Sequence, residues 1–237
     1  MRGIARTVLT SIVDGRIWAS ERPVWFRGVR LRARTSVIRL DDGGLLVHSP
    51  APPSDAWTTE VAALGPVRWL VVPNGFHHLG TPAAAAAFPE AKVVAPRSAA
   101  AKNPALRIDL DIRDPAFAAA VPELVAYPLD GVPFLDETLL YHVPTQTLFG
   151  ADVVLRADRG DHWTWRFAAR LLGCFERVRV PPDVKKQVAD RAAAARSLRA
   201  LEPLAVQRVV IAHGIVLEQA PLAQLLDAWQ RVGVGPA

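Results

Sequence analysis

The sequence has little of what secreted and membrane proteins use. It contains one cysteine, Cys174, among 237 residues. A single cysteine excludes an internal disulfide and favours a reducing compartment, so we expect a cytoplasmic protein. The apolar stretch from Val8 to Val13 ends at Asp14 and is too short for a signal peptide. No apolar run approaches the roughly 18–20 residues of a membrane helix, and we expect no membrane partner.

The sequence also lacks a concentrated basic face, although its formal net charge is +5. Its arginines are spread from Arg2 to Arg231, and the densest group, residues 27–34, alternates as the solvated face of a strand does. This distribution disfavours a nucleic-acid partner. The apolar fraction of 51% predicts a folded chain rather than a disordered one. We expect one domain over residues 1–237, with residues 1–30 as an arm or hairpin packed on the core.

The order of the elements indicates the fold class. Hairpin signals such as Asp41 to Gly44 come early, and later strands alternate with helical segments. Pro181-Pro182 is followed by apolar residues at helical spacing, which predicts a long helix to about Leu201. This pattern is typical of an α/β protein whose mixed sheets are covered by helices on their outer faces.

Three short apolar strands each deliver a possible metal ligand at their carboxyl end. Residues 69–72 lead to His77 and His78, residues 147–149 lead to Asp152, and residues 209–211 lead to His213. Imidazole and carboxylate groups are ligands of zinc and iron. A lone histidine on such a turn is usually a hydrogen-bonded structural residue, so the prediction rests on the recurrence of the pattern.

Several sequence blocks carry a resemblance to a known family. They run in the same order over about residues 34–218, and they are Pro73-Asn74 with His77 to Gly80, Gly131 to His142, Gln146 to Asp152, and Ala212 to Gly214. In these blocks the sequence resembles the metallo-β-lactamase superfamily, and more closely a branch of it classed as a domain of unknown function. The resemblance implies a four-layer αββα sandwich with two mixed sheets, helices on the outer faces, and metal held by loops at one edge of the sheets.

The loop that binds metal in this superfamily has the pattern His-x-His-x-Asp-His. On this chain its first two histidines fall on Pro73 and Gly75, which have no metal-binding side chain. The aspartate position carries His77, and the last histidine matches His78. The resemblance therefore implies that the first of the two usual metal sites has been lost.

The remaining family ligands match better. The next family histidine falls near Asp130, which can contribute an oxygen, while the bridging aspartate matches Asp152 and the final histidine matches His213. The resemblance thus implies one divalent ion, Zn²⁺, Fe²⁺ or Mn²⁺, held by His77, His78, Asp152 and His213.

Two functions from different classes follow. The first is metal-dependent hydrolysis of a small-molecule ester, lactone or thioester, with Asp152 and His78 as catalytic residues. Its substrate pocket is expected to contain Phe76, Asp130, Glu137, Trp163 and Arg166. The alternative is a non-catalytic ligand-binding or interaction scaffold with no cofactor, in which the remaining His/Asp set makes only structural hydrogen bonds. The sequence leaves both open.

Overall fold

Two β-sheets form the centre of the computed structural model, which describes residues 8–235. The first sheet has seven strands in sequential order, antiparallel from β1 to β4 and parallel from β4 to β7. These strands are β1 (Thr10–Val13), β2 (Ile17–Phe26), β3 (Val29–Arg39), β4 (Leu45–His48), β5 (Val67–Val71), β6 (Lys92–Ala95) and β7 (Leu110–Asp111).

The second sheet has four strands in the order β11-β10-β9-β8, and only its β10–β11 pair is parallel. Its strands are β8 (Leu124–Pro128), β9 (Thr138–His142), β10 (Thr147–Phe149) and β11 (Arg208–Val210). Eight α-helices accompany the sheets in the described part of the chain: α1 (Asp55–Leu64), α2 (Thr81–Ala87), α3 (Arg97–Lys102), α4 (Pro115–Ala120), α5 (Trp163–Leu171), α6 (Pro182–Lys186), α7 (Arg191–Arg199) and α8 (Pro221–Gln230).

Successive side chains of a strand face opposite sides of its sheet, and this alternation creates the separate core layers of the fold. In β4, Leu46 faces the core between the two sheets, whereas Leu45 and Val47 face the core beneath α1, α2 and α3. In β9, Leu140 faces the central core and Leu139 packs toward α7 and α8. Both sheets are therefore apolar on both faces and covered by helices outside, and the predicted αββα sandwich is confirmed.

The predicted long helix from Pro181 to Leu201 is wrong, because the structure has α6 and α7 instead. Asp190 lies in extended conformation and caps the N-terminus of α7 with its carboxylate. The carbonyl of Gly131 accepts hydrogen bonds from the N–H groups of Ala189 and Asp190. A contact from a distant loop thus interrupts a segment whose spacing favours one helix.

The first strands lie where an arm or hairpin was expected. Strands β1 and β2 form a hairpin, and β2 pairs along its whole length with β3. The expectation for residues 1–30 falls partly on residues 1–7, which lie outside the described residues. No helix formed by residues 8–235 has the length and apolar character needed to cross a bilayer.

Candidate metal centre

Three strand ends meet at one edge of the sandwich. The turn after β5 presents His77, the loop after β10 presents Asp152, and the segment after β11 presents His213. Strands β4 and β5 are parallel, as are β10 and β11, so their carboxyl ends lie together. One ligand atom from each of the three side chains lies within 4.8 Å of the others. The fold therefore brings together residues that are separated by 75 and 61 positions in the sequence.

The carboxylate of Asp152 lies between the two imidazoles. The Nε2 atom of His77 is 3.1 Å from Oδ2 of Asp152, and Nε2 of His213 is 3.4 Å from Oδ1. Burial by itself raises the pKa of Asp152, but the charge and hydrogen bond of His77 and the charge of His213 hold that pKa below its ordinary value. Asp152 is therefore ionised at neutral pH and suits a ligand rather than a general base.

The outer nitrogen of each imidazole is held by a polar group. Nδ1 of His77 is 2.6 Å from Oγ of Ser49, and Nδ1 of His213 is 2.8 Å from the carbonyl oxygen of Arg32. Such contacts fix the orientation of histidine ligands in metal sites. Both rings are therefore turned so that Nε2 faces Asp152.

The tautomer of His213 gives the strongest indication of a cation. A carbonyl oxygen only accepts hydrogen bonds, so Nδ1 of His213 carries a hydrogen and Nε2 of the neutral ring carries a lone pair. That lone pair faces an oxygen of Asp152, and two acceptors in this position need a proton or a cation between them. Burial lowers the pKa of His213 and the charge of His77 lowers it further, although Asp152 acts in the opposite direction. A cation therefore fits the His213 side of the donor set, whereas at His77 burial lowers the pKa but the charge and hydrogen bond of Asp152 raise it above its ordinary value, which favours a proton.

Glu137 and Asn74 hold Asp152 and its loop by hydrogen bonds. Glu137 is fully buried and accepts hydrogen bonds from the backbone N–H groups of Ala151 (2.7 Å) and Asp152 (2.9 Å). The Nδ2 atom of Asn74 donates to Glu137 (3.0 Å) and to Asp152 (2.9 Å). Burial and the charge of Asp152 raise the pKa of Glu137 to about 7. Glu137 was expected in the substrate pocket, and the structure places it instead behind the ligand loop.

His78 is not part of the group that the structure brings together. The Oδ1 atom of Asn74 accepts hydrogen bonds from the N–H groups of Phe76 and His77, which fixes the turn and directs the His77 side chain toward Asp152. His78 is buried in a different environment, and its Nδ1 has no hydrogen-bond partner among residues 8–235. The structure therefore brings together three of the four predicted ligands, and His78 is not among them.

The other residues expected in the pocket are dispersed. Phe76 is half-exposed and its ring lies 5.0 Å from that of Phe134. Asp130 is exposed near Arg113 and lines a surface cleft beside α7. Trp163 is 65% exposed at the start of α5. The structure thus keeps Phe76 on the turn beside the centre and places Asp130 and Trp163 elsewhere.

Arg166 lies on the same helix as Trp163. Its guanidinium donates to the carbonyl of Arg159 and makes no contact with the metal ligands in the described part of the chain. Its assignment to the substrate pocket therefore receives no geometric support.

Ser49 and Asn74 are the functional residues that the sequence reasoning missed. Ser49 follows β4, which is parallel to β5, so its position at the shared strand edge was a signal that could have been used. Its backbone has φ = +56°, a conformation uncommon for a non-glycine residue. Asn74 lies in one of the blocks that carry the resemblance, and its side chain links the turn to Glu137 and Asp152.

Comparisons with known proteins agree with this architecture. The family described as Domain of unknown function (DUF4336) matches residues 14–100. No curated protein sequence matches the chain.

Among solved structures, a metallo-β-lactamase from Pontibacter korlensis is 16% identical, with a TM-score of 0.63 over 94% of this chain and 98% of its own. The mono-zinc form of the metallo-β-lactamase FIM-1 from Pseudomonas aeruginosa is 13% identical, with a TM-score of 0.66 over 95% of this chain and 96% of its own. A metallo-β-lactamase from Erythrobacter litoralis is 16% identical, with a TM-score of 0.65 over 94% and 96%. The resemblance drawn from the sequence is thereby confirmed, and this chain has the metallo-β-lactamase fold.

Proposed function

We propose that this protein hydrolyses small esters, lactones or thioesters with a single divalent ion held by His77, Asp152 and His213. The observation that carries the proposal is the convergence of two Nε2 atoms on the carboxylate of Asp152. Two nitrogens and one oxygen suit Zn²⁺, Fe²⁺ or Mn²⁺. Three protein ligands are also typical of catalytic zinc sites, which keep one position for water or substrate.

A single ion is favoured over two. The family's first two loop histidines correspond to Pro73 and Gly75, whose side chains cannot bind metal. Asn74, which lies between them, is fully buried and donates to carboxylates. The similar FIM-1 enzyme is described in a mono-zinc form. That description supports the inference that this fold can hold a single metal ion.

The residues of the chain have separate tasks in the proposed reaction. A bound divalent ion would polarise the scissile carbonyl and lower the pKa of a water molecule toward neutrality. Ser49 and the carbonyl of Arg32 hold the two imidazoles in orientation. Glu137 and Asn74 hold the loop that bears Asp152. Because these contacts exist before substrate arrives, the donor set needs no reorganisation during the reaction.

A second candidate is the non-catalytic scaffold. The observation that favours it is the 3.1 Å contact between His77 Nε2 and Oδ2 of Asp152, which pairs these two groups without an ion. In that case the protein would bind a ligand or partner at the same edge of the sheets and would show no turnover.

Metal binding separates the two candidates. Metal-free protein without a histidine tag is titrated with Zn²⁺, Mn²⁺ and Fe²⁺, and bound metal is measured by elemental analysis. We expect about one ion per chain in the wild type and less than a tenth of that in Asp152→Asn and His213→Gln.

His78→Gln is the matched control, because it removes the neighbouring histidine of the same turn and is expected to retain the ion. Loaded protein is then assayed with 4-nitrophenyl acetate. A wild type that binds no ion, or variants that bind as well as the wild type, would refute the metal centre. Bound ion without turnover on esters, lactones and thioesters would favour the scaffold.

A further inference from the structure

A lysine without a carboxylate partner lies beside the candidate metal centre. The Nζ atom of Lys102 is 3.3 Å from the ring centroid of Phe76 and 5.9 Å from that of Phe134. Within residues 8–235 no carboxylate oxygen lies within 4.0 Å of this ammonium group, although the charge of Asp136 acts on it from farther away. Burial lowers the pKa of Lys102. The positive charge of this exposed lysine thus lies against aromatic rings, and no acid among the described residues contacts it directly.

The absence of a side chain at Gly75 lets this ammonium group lie close against the turn. A Cβ atom at Gly75 would lie 2.9 Å from Nζ of Lys102 and 2.9 Å from Oγ of Ser98. Ser98 and Lys102 are four residues apart on α3 and therefore lie on the same face of the helix. The hydroxyl and the ammonium group converge on the side of Gly75 where any other residue would carry its side chain.

Two polar atoms near this turn have no partner. The Oγ atom of Ser98 and the Nδ1 atom of His78 are shielded from solvent and make no hydrogen bond to the described residues. His78 is only 6% exposed. Burial lowers the pKa of His78, and the charge of Lys102 lowers it further. Buried polar atoms are rarely left unpaired, so their coincidence at one turn indicates a binding site.

We propose that Lys102, Ser98 and His78 bind an anionic group, a carboxylate or a phosphate, at the Gly75 turn. The ammonium group supplies the charge, and the hydroxyl and imidazole supply hydrogen-bond donors, as expected for recognition of anionic oxygens. Because Gly75 is two residues before the ligand His77, the anion is bound next to the metal centre. The substrate assignment rests on the proposed function: the site selects esters, lactones or thioesters that carry a negative charge near the scissile bond.

Anion binding is tested first in metal-free protein, so that the result does not depend on catalysis. Inorganic phosphate and glutarate are titrated separately into wild-type protein and followed by NMR, which distinguishes the two kinds of anion. We expect Lys102→Met to weaken binding of the preferred anion by about tenfold or more, since hydrogen bonds to charged groups are worth roughly 1.5–3 kcal/mol.

Lys92→Met is the matched control. Lys92 is also a lysine over an aromatic ring, 5.7 Å from the ring centroid of Trp69, but it lies on β6 rather than on α3. Gly75→Ala is a second variant, because its Cβ would displace the flexible end of Lys102 while the backbone φ requires no glycine. Wild-type protein that binds neither anion, or Lys102→Met that binds as Lys92→Met does, would overturn the proposal.

Kinetics then connect the site to substrate choice. Zinc-loaded protein is assayed with neutral 4-nitrophenyl acetate and with mono-4-nitrophenyl glutarate, which carries a carboxylate. The ratio of kcat/KM for the charged over the neutral ester is expected to fall about tenfold in Lys102→Met and to stay constant in Lys92→Met. Anion binding without hydrolysis of either ester would refute the proposed hydrolase activity but not this anion site. Hydrolysis with an unchanged ratio of kcat/KM for the two esters in Lys102→Met would refute only the substrate assignment.

Discussion

The amide of Asn74 is predicted to keep two buried carboxylates apart. The side chain is fully buried, and its Nδ2 donates to Glu137 at 3.0 Å and to Asp152 at 2.9 Å. Its Oδ1 accepts from the N–H groups of Phe76 at 2.8 Å and His77 at 3.0 Å. Asn74→Asp has the same shape and keeps the acceptor toward the turn. It replaces the donor by a third carboxylate, so it tests the electrostatics of the site separately from its geometry.

The expected loss is large for a single substitution. Two hydrogen bonds to charged groups disappear, each worth roughly 1.5–3 kcal/mol, and like charges then face each other. We expect the free energy of unfolding of metal-free protein at pH 7 to fall by about 4 kcal/mol. The loss should shrink as the pH falls from 7 toward 5, because a carboxyl group whose pKa is raised binds a proton more tightly in the folded state than in the unfolded one.

Urea unfolding followed by tryptophan fluorescence measures this loss, with EDTA present and at pH 7.0 and 5.5. Asn103→Asp is the control, since Asn103 is the only other asparagine of the chain and lies after α3, away from the carboxylates. If Asn74→Asp unfolds at the same urea concentration as the wild type at pH 7, the amide does not separate these carboxylates in solution. The role of Asn74 between Glu137 and the candidate ligand Asp152 would then be refuted.

Three further predictions concern other positions. Ser49→Ala should weaken zinc binding by about 10–100-fold in competition with a chromophoric chelator, because it frees the outer nitrogen of His77, and a loss below threefold would contradict this role. Burial lowers the pKa of His142 to about 4 from an ordinary 6.5, so the unfolded chain binds the proton first. Stability should therefore fall by about 3 kcal/mol from pH 6.5 to pH 4, and this part should vanish in His142→Gln. Gly131→Ala should cost about 3 kcal/mol or more in urea unfolding, since φ is +78° and the new Cβ would lie 2.0 Å from the carbonyl oxygen of Asp190; an unchanged midpoint would contradict the contact.

The layers of the fold could be predicted because the apolar residues of each strand indicate which of its faces are buried. Leu45, Leu46 and Val47 are all apolar, which is typical of a strand buried on both faces, and the structure buries all three. The meeting of the candidate ligands Asp152 and His213 was predictable for a related reason. Each follows directly after such a strand, and the carboxyl ends of parallel strands meet at one edge of a sheet.

The choice between His77 and His78 could not be made from the sequence. Adjacent residues in a turn have no fixed periodicity, and the direction of each side chain depends on the hydrogen bonds that Asn74 makes with the backbone. The contacts that Ser49 and Arg32 make with the two histidines could not be predicted from the sequence either. Ser49 precedes His77 by 28 positions, and Arg32 precedes His213 by 181. Such pairs are set by packing of whole layers, for which a single sequence gives no local signal.

Charge balance links the metal centre to the lysine beside it. A divalent ion at the centre would be neutralised by Asp152 together with Glu137, the carboxylate that lies behind it. The ion would also lower the pKa of Glu137 from about 7, so that this carboxylate is ionised when the ion is bound. The charge of Lys102 beside the Gly75 turn then remains without an acid of the described chain within 4.0 Å. A substrate with a single negative charge would supply this counter-charge, whereas a neutral ester would not.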